Sequence, residues 1–182
     1  MPSYLLEGMR KLKKAISRKD IASLKEFGEE VAEKAFLEDK PPMLGLAVIA
    51  YSVAKFEEKP YIVKGALWPK VYAEILDHLD ECIRTLSDEQ EDTAYDLLAD
   101  MVDDLEEFSY ASSRFRSTVI EKAKIKAATQ VYAHGASLSV ASEFAGVPKE
   151  ELAKYIGATR LPEKYETFSV KERLKSAREL FT

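Results

Sequence analysis

The sequence predicts an all-α protein, in which an N-terminal helical bundle precedes a C-terminal helix-turn-helix-like unit. Apolar residues recur every three or four positions along most of the 182 residues, which is the period of an amphipathic helix. Only seven glycines and seven prolines interrupt this pattern, and no useful length of chain alternates apolar and polar residues as a half-buried strand does. The hydrophobic fraction of 46% is sufficient for a buried core.

Five helices are predicted in the first 110 residues. Asp20 is placed as the N-cap of the second and Ser87 as the N-cap of the fifth, because a short polar side chain can accept from the backbone N–H groups of a first turn. Pro69 suits the first turn of the fourth helix. The third helix is apolar nearly all round, which predicts a central position in the bundle. The predicted spans are 3–17, 20–37, 43–56, 68–86 and from Ser87 to about 108.

Shorter helices are predicted in the C-terminal part of the chain. A basic helix over 114–133 is expected to end at Gly135 in a left-handed conformation. Ser137 is placed as the cap of a two-turn helix over 138–145, and Pro148 begins a helix that ends near 156–157. A last helix is predicted over 170–181.

The charge of the chain is divided unequally along its length. Residues 1–110 contain 14 basic and 24 acidic residues, whereas residues 111–182 contain 13 basic and 8 acidic residues. An acidic half joined to a basic half is typical of a partner-binding module linked to a module that faces a polyanion. The alternative is that the two charges balance each other across an internal interface. We place the domain boundary within 109–115, which gives domains 1–110 and 111–182.

Residues 138–157 have the inward-facing pattern of a helix-turn-helix. In this motif two short helices cross steeply, so the turn requires a glycine and the crossing requires small or apolar residues. With Gly146 in the turn, all other inward positions carry such residues: Ala141, Ser142, Ala145, Val147, Leu152 and Tyr155. Two packed helices without a DNA-binding role would give part of the same pattern, and this remains the alternative interpretation.

The outward positions of the second helix predict where DNA would be contacted. In a helix-turn-helix the outward residues near the N-terminus of the second helix meet base edges, and flanking lysines contact phosphates. We expect Lys149, Glu150 and Lys154 nearest the bases, where Glu150 can accept from a cytosine amino group or repel phosphates. The complete predicted set of DNA-binding residues is Lys149, Glu150, Lys154, Arg160, Lys122 and Lys126.

The segment from Lys122 to Tyr165 also resembles a family of archaeal proteins. The matching residues are Ser137-Leu138-Ser139, Ala141-Ser142-Glu143, Gly146-Val147, Leu152, Tyr155-Ile156-Gly157 and Thr159. The family consists of small proteins described as antitoxins or transcriptional regulators, encoded beside PIN-domain ribonuclease toxins. The resemblance covers about a quarter of the chain and departs from the family pattern at Pro148-Lys149. It implies a cytosolic regulator that pairs with a protein partner and binds an operator.

Acidic residues on the fourth and fifth helices allow three interpretations. Carboxylates at helical spacing can hold Mg²⁺, as in helical nucleotide pyrophosphatases. They can also form a docking surface for a basic partner, or simply a solvated helix face, which is the usual role of such a run. The residues concerned are Asp77, Asp80, Glu81, Asp96, Asp100, Asp103 and Asp104, with His78 nearby.

The remaining chemistry-bearing residues point to no catalytic site. Cys82 is the only cysteine, so no internal disulfide forms, and its apolar helical position predicts a small buried side chain. His134 suits the C-terminus of a helix, where positive charge is favoured. No nucleophile–histidine arrangement and no phosphate-binding glycine loop is recognisable. No apolar run reaches about 20 residues, and the N-terminus lacks signal-peptide order.

Together these patterns predict a non-catalytic, antitoxin-like regulatory protein that is cytoplasmic and binds double-stranded DNA. No cofactor, no metal and no membrane are expected. A homodimer is expected because helix-turn-helix proteins commonly bind paired half-sites, and the resemblance implies a ribonuclease toxin as a protein partner. A helical protein–protein adaptor with an acidic docking surface is the second hypothesis. A metal-dependent all-α nucleotide hydrolase is the third.

Overall fold

The computed structural model describes residues 4–112 and 119–159, and all regular elements in these two ranges are helical. The predicted all-α class is therefore confirmed. The helices are α1 (Tyr4–Ser17), α2 (Ile21–Leu37), α3 (Leu44–Glu57), α4 (Pro60–Val63), α5 (Trp68–Ser87), α6 (Glu91–Ser112), α7 (Val119–Ala133), α8 (Leu138–Ala145) and α9 (Lys149–Ala158). A 3-10 turn over Pro41–Met43 precedes α3.

Helix α3 is the centre of the packing. Eleven of its fourteen residues are buried, and the helix contacts α1, α2, α6 and α7. A helix surrounded in this way needs apolar side chains on every face, which is why its sequence lacks a polar stripe. Its buried Ser52 donates its hydroxyl to the carbonyl oxygen of Val48 at 2.7 Å, so this polar group is satisfied within the helix.

An aromatic cluster fixes α5 and α6 against the end of α3. The ring centroid of Phe56 lies 5.5 Å from that of Trp68 and 5.1 Å from that of Phe108. The indole N–H of Trp68 donates to Glu57 at 3.1 Å. This arrangement places the large apolar rings in the core while the polar edge of the indole keeps a partner.

Helix α7 packs into the same core and connects it to α8 and α9. It contacts α2, α3 and α6 of the bundle and also α8 and α9. At its C-terminal end, Nε2 of His134 lies 3.0 Å from a carboxylate oxygen of Glu33 on α2. The ring of Phe144 on α8 meets that of Phe36 on α2 edge-to-face, with centroids 5.9 Å apart. The described helices thus share one hydrophobic core, and the division into domains 1–110 and 111–182 remains a prediction.

Several local predictions are confirmed and one is wrong. Asp20 caps α2 and accepts from the backbone N–H of Ser23 at 3.0 Å. Gly135 follows α7 with a φ of +99°. Ser87, however, is the last residue of α5 and does not cap α6. Its hydroxyl donates to the carbonyl oxygen of Ile83 at 2.7 Å, so the side chain is bonded backward along α5 and the next helix begins at Glu91.

Some sequence predictions fall on residues that the structure does not describe. Arg160 and the predicted helix over 170–181 lie outside the described residues, as do residues 113–118 around the proposed domain boundary. In the part of the chain that is described, no helix combines the length and the hydropathy needed to cross a bilayer.

Candidate nucleic-acid interface

The turn between α8 and α9 is defined by local hydrogen bonds. Ser137 caps α8 and accepts from the backbone N–H of Val140 at 3.2 Å. Gly146 ends α8 in the left-handed region, with φ +61° and ψ +39°, which a glycine adopts without steric strain. The Ser142 hydroxyl donates across the turn to the carbonyl oxygen of Val147 at 2.6 Å. Pro148 then precedes the first residue of α9.

The residues predicted to face inward are mostly enclosed. Ala141, Ala145, Val147 and Leu152 are buried, Ser142 and Tyr155 are half-buried, and Gly146 is exposed in the turn. Both α8 and α9 pack against α7 as well as against each other. These contacts bury one side of α9 and leave the opposite side open to solvent.

The open side of α9 carries the residues predicted to lie nearest DNA. Lys149, Glu150, Ala153 and Lys154 are all exposed. The ammonium of Lys149 donates to the hydroxyl of Ser139 at 2.7 Å, which links the start of α9 to α8. Since Glu150 and Glu151 accompany Lys149 and Lys154, the formal charges on α9 cancel.

The predicted DNA-binding lysines of α7 differ in their surroundings. Lys122 is exposed and makes no ion pair within the described ranges. Lys126 is half-buried, with its ammonium 3.4 Å from a carboxylate oxygen of Glu29 and 4.4 Å from the ring centroid of Tyr51. The charge of Lys126 is therefore partly compensated within the protein, whereas that of Lys122 faces solvent.

Three of the predicted DNA-binding residues meet around a cavity that is open to solvent and lined by α3, α7 and α9, with α2 at its edge. The cavity has a volume of about 830 Å³, within the range of small-molecule sites. Lys122, Lys126 and Lys154 line it, whereas Lys149 and Glu150 lie away from it on α9. The other lining residues are Lys25, Tyr51, Lys55, Glu121, Ala123, Ile125, Glu151, Tyr155 and Ala158.

Tyr51 is the most enclosed side chain of this cavity. It is 2% exposed, and its hydroxyl is buried without a hydrogen-bond partner in the described part of the chain. Burial raises the pKa of the Tyr51 phenol far above its usual range, and the charge of Glu29 and the nearby Tyr155 raise it further. The hydroxyl thus stays protonated and retains its capacity to donate.

Two cavity lysines are held in place by a carboxylate that lies outside the lining. Glu58 accepts from Lys55 at 2.6 Å and forms a second ion pair with Lys25. The hydrogen bond from Lys25, followed by that from Lys55, lowers the pKa of Glu58 below its ordinary value. Sequence patterns did not identify Lys25, Tyr51 or Lys55. The available signal is the single phenol of Tyr51 in a central helix that is mostly apolar.

The acidic residues of α5 and α6 that the sequence singles out lie at the surface of the protein. Asp77, Asp80, Glu81, Asp96, Asp100, Asp103 and Asp104 are all exposed. Asp80 pairs with Lys13 of α1, and Nδ1 of His78 lies 3.8 Å from a carboxylate oxygen of Asp104. Within residues 4–112 and 119–159, no three or more histidine, cysteine, aspartate or glutamate side chains are grouped so that they could hold a metal ion.

Cys82 is fully buried in the core, as its position in the sequence predicted. Burial raises the pKa of its thiol to about 11. The thiolate is therefore scarce at neutral pH, and the side chain acts as a small apolar group.

Comparisons of this chain with protein-family models, with curated proteins and with solved structures find no significant match.

Proposed function

We propose that this protein is a non-catalytic, antitoxin-like regulatory DNA-binding protein, with α8 and α9 as its helix-turn-helix. The observation that carries the proposal is the presentation of α9. Its inner side is anchored by buried Leu152, with the preceding Val147, while Lys149, Glu150 and Lys154 project from the open side. Such exposure at the start of a second short helix is what major-groove binding requires.

Phosphate contacts in this proposal come from lysines on two helices. Lys149 and Lys154 are exposed on α9, and Lys122 is exposed on α7, which packs directly against α9. Arg160, which follows Thr159 in the sequence and lies outside the described residues, is the fourth contributor. Lys126 has a smaller role, because its ammonium also contacts Glu29 and Tyr51. We expect two copies of the chain to bind paired half-sites.

A salt series on DNA binding tests the proposal. The logarithm of the association constant for a duplex should fall linearly with the logarithm of the salt concentration. The slope should be about −0.9 for each phosphate contact. The double variant Lys149→Ala/Lys154→Ala should reduce the magnitude of that slope by about 2. Lys64→Ala/Lys70→Ala is the matched control, since it removes two exposed lysines from a different part of the bundle. Absence of binding at low salt would refute the DNA-binding proposal.

A second control separates charge from structure at Lys149. Ser139→Ala removes the hydroxyl that accepts from Lys149 and leaves the lysine charge intact. If Lys149 contacts DNA, Ser139→Ala should preserve the salt slope while Lys149→Ala changes it. An equal loss of DNA affinity in both variants would indicate that the hydrogen bond between α8 and α9, and not the lysine charge, supports DNA binding.

The antitoxin-like part of the proposal is supported by the resemblance of residues 122–165. It predicts that a reading frame for a ribonuclease toxin adjoins the gene and that the two products co-purify when expressed together. A neighbouring frame of another class, together with no complex between this protein and a PIN-domain ribonuclease, would contradict that part and leave DNA binding to be judged by the salt series.

The second candidate function is that of a protein–protein adaptor, favoured by the exposed acidic residues of α5 and α6. Seven of their carboxylates are open to solvent, and the described ranges place an ion-pairing lysine against only Asp80 among them. In this case a basic partner would bind, and Asp96→Asn/Asp100→Asn/Asp103→Asn would weaken the complex. Lys149→Ala/Lys154→Ala would leave it unchanged, which distinguishes the adaptor from the DNA-binding protein.

A further inference from the structure

We infer that the cavity between α3, α7 and α9 binds an amphipathic organic anion, with Lys122, Lys154 and the Tyr51 hydroxyl as its polar donors. The ligand class is a small aromatic or aliphatic body that carries one acidic group. The inference stands independently of whether α9 binds DNA, because it depends on the cavity alone.

The size and the walls of the cavity define the body of the ligand. A volume of about 830 Å³ accommodates a molecule of several fused or linked rings. Ala123 and Ile125 of α7 and Ala158 of α9 contribute apolar surface, and the rings of Tyr51 and Tyr155 add aromatic surface. Such walls favour an apolar body over a fully hydrated ion such as phosphate.

The charged residues define the acidic group. Five lysines line the cavity, against two glutamates, Glu121 and Glu151. Including Glu29 and Glu58, which pair with lining lysines from outside, the cavity keeps an excess of one positive charge. Lysine ammonium groups donate hydrogen bonds and never accept them, so the ligand must present an acceptor to them.

Two of the five lysines have no ion-pair partner among the described residues. Lys25, Lys55 and Lys126 each contact a glutamate, whereas Lys122 and Lys154 do not. Lys122 belongs to α7 and Lys154 to α9, so an anion within the cavity can be approached by ammonium groups from two of the helices that line it.

The Tyr51 hydroxyl is the second, independent observation that points to a ligand. A phenol that is 2% exposed and has no partner in the described ranges is unusual, because buried polar groups nearly always form hydrogen bonds. Tyr51 lines the cavity but its hydroxyl is closed to solvent in the ligand-free chain, so an acceptor on a ligand satisfies it only after the neighbouring side chains move aside. Packing of its ring against Gly28 and beneath Lys126 keeps the phenol in place.

The test uses the full chain and three probes. The first is 8-anilinonaphthalene-1-sulfonate, an aromatic anion whose fluorescence reports an apolar site. The second is N-phenyl-1-naphthylamine, which has the same rings without the sulfonate, and the third is inorganic phosphate. We expect saturable binding of the sulfonate, at least tenfold weaker binding of the neutral amine, and no displacement of the sulfonate by equimolar phosphate.

Variants locate the bound probe. Lys122→Ala/Lys154→Ala should raise the Kd of the sulfonate about tenfold or more, as expected for losing charge-assisted hydrogen bonds, and Tyr51→Phe should also raise it. Ala158→Trp should weaken binding by occupying part of the cavity, whereas Ala153→Trp, on the same helix but outside the lining, should not. Lys64→Ala/Lys70→Ala serves as the control for total charge. Circular dichroism establishes that each variant is folded.

The proposal is overturned by any of three results. These are absence of sulfonate binding to the full chain, equal binding of the neutral amine, and a Kd that Ala158→Trp and Lys122→Ala/Lys154→Ala leave unchanged. Displacement by equimolar phosphate would likewise overturn the ligand class, since it would show that the apolar body contributes nothing.

Discussion

The ring of Tyr51 on α3 lies directly against the backbone of Gly28 on α2. A Cβ atom at residue 28 would come within 2.9 Å of Cε1 of that ring. Any side chain larger than hydrogen therefore has to displace a phenol that the core encloses almost completely. The contact joins the two helices that pack most extensively in the described structure and fixes one wall of the cavity.

Gly28→Ala should destabilise the fold, although alanine is the better helix former. We expect a loss of about 1–3 kcal/mol in the free energy of unfolding, because the added methyl group overpacks the core. Gly8→Ala is the matched control, because its Cβ would lie 3.5 Å from Leu46, which is an ordinary contact distance. The helix preference of alanine should then stabilise the protein by about 0.5–1 kcal/mol. Urea denaturation measures both changes. The same sign in the two variants would contradict the packing argument.

Tyr51→Phe should stabilise the protein in the absence of ligand. The Tyr51 hydroxyl has no partner in the described ranges, and removing a buried unsatisfied group recovers about 1 kcal/mol or more. Tyr72→Phe gives the opposite case, since its hydroxyl donates to the carbonyl oxygen of Ile16 at 2.7 Å and its loss should cost about 1 kcal/mol. Chemical denaturation of both variants measures the sign of each change in the free energy of unfolding. A destabilised Tyr51→Phe would show that the hydroxyl has a partner.

Gly146→Ala and Gly157→Ala should change stability in opposite directions. Neither added Cβ would meet another atom within 4 Å, so both effects come from the backbone. Gly146 has a φ of +61°, where alanine is strained by about 1 kcal/mol or more. Gly157 lies within α9, where alanine should raise the free energy of unfolding by about 0.5 kcal/mol. Thermal melts compare the two. If Gly146→Ala is neutral, the turn adopts another conformation in solution.

The turn at Gly146 also shows what the sequence could predict. The bounds of α8 were predicted to the residue because its start and stop signals, Ser137 and Gly146, are local. Ser87 carries the same kind of signal, but the predicted cap is wrong. The hydroxyl of a serine between two helices can bond backward to the first helix or cap the second. Its hydroxyl bonds to Ile83, and only the three-dimensional geometry decides between these choices.

The cavity was not predictable from local patterns. Its lysines come from α2, α3, α7 and α9, and Lys25 is separated from Lys122 by nearly 100 residues of sequence. Hydrophobic periodicity assigns each residue to a face of its own helix, but it does not determine which helices become neighbours. Charge distinguishes Lys122, Lys126 and Lys154 in the sequence, but only tertiary packing brings them together with Tyr51.

Glu58 should stabilise the protein at neutral pH and lose this effect in acid. Hydrogen bonds from Lys25, and next from Lys55, hold the pKa of Glu58 below its ordinary value of 4.5. The stabilisation is therefore fully present above about pH 4.5 and disappears as the pH falls through the lowered pKa. Because the side chain is partly exposed, the gain is at most about 1 kcal/mol.

Glu58→Gln tests this prediction by denaturation at pH 7 and at pH 3. The wild type should be the more stable protein at pH 7, and the difference between the two proteins should be smaller at pH 3, because the stabilisation is lost as the pH falls toward and through the lowered pKa of Glu58. A difference as large at pH 3 as at pH 7 would mean that shape or amide hydrogen bonding, and not the ion pairs with Lys25 and Lys55, distinguishes the two side chains.

An anion in the cavity should weaken DNA binding if both proposals hold. Lys122 and Lys154 are shared between the proposed phosphate contacts and the proposed anion site, so a bound sulfonate neutralises the lysines that would meet the duplex. Saturating 8-anilinonaphthalene-1-sulfonate should raise the Kd for DNA by roughly 5-fold or more, and saturating DNA should raise the Kd of the probe by the same factor.

N-phenyl-1-naphthylamine should have little effect on the Kd for DNA, and Lys122→Ala/Lys154→Ala should abolish the coupling between the two ligands. Fluorescence anisotropy of labelled DNA and titration of the probe measure the two factors. Unequal factors would indicate that the probe also binds outside this one site, since a single pair of sites must give equal factors. A DNA affinity that is unchanged at saturating probe would separate the two sites.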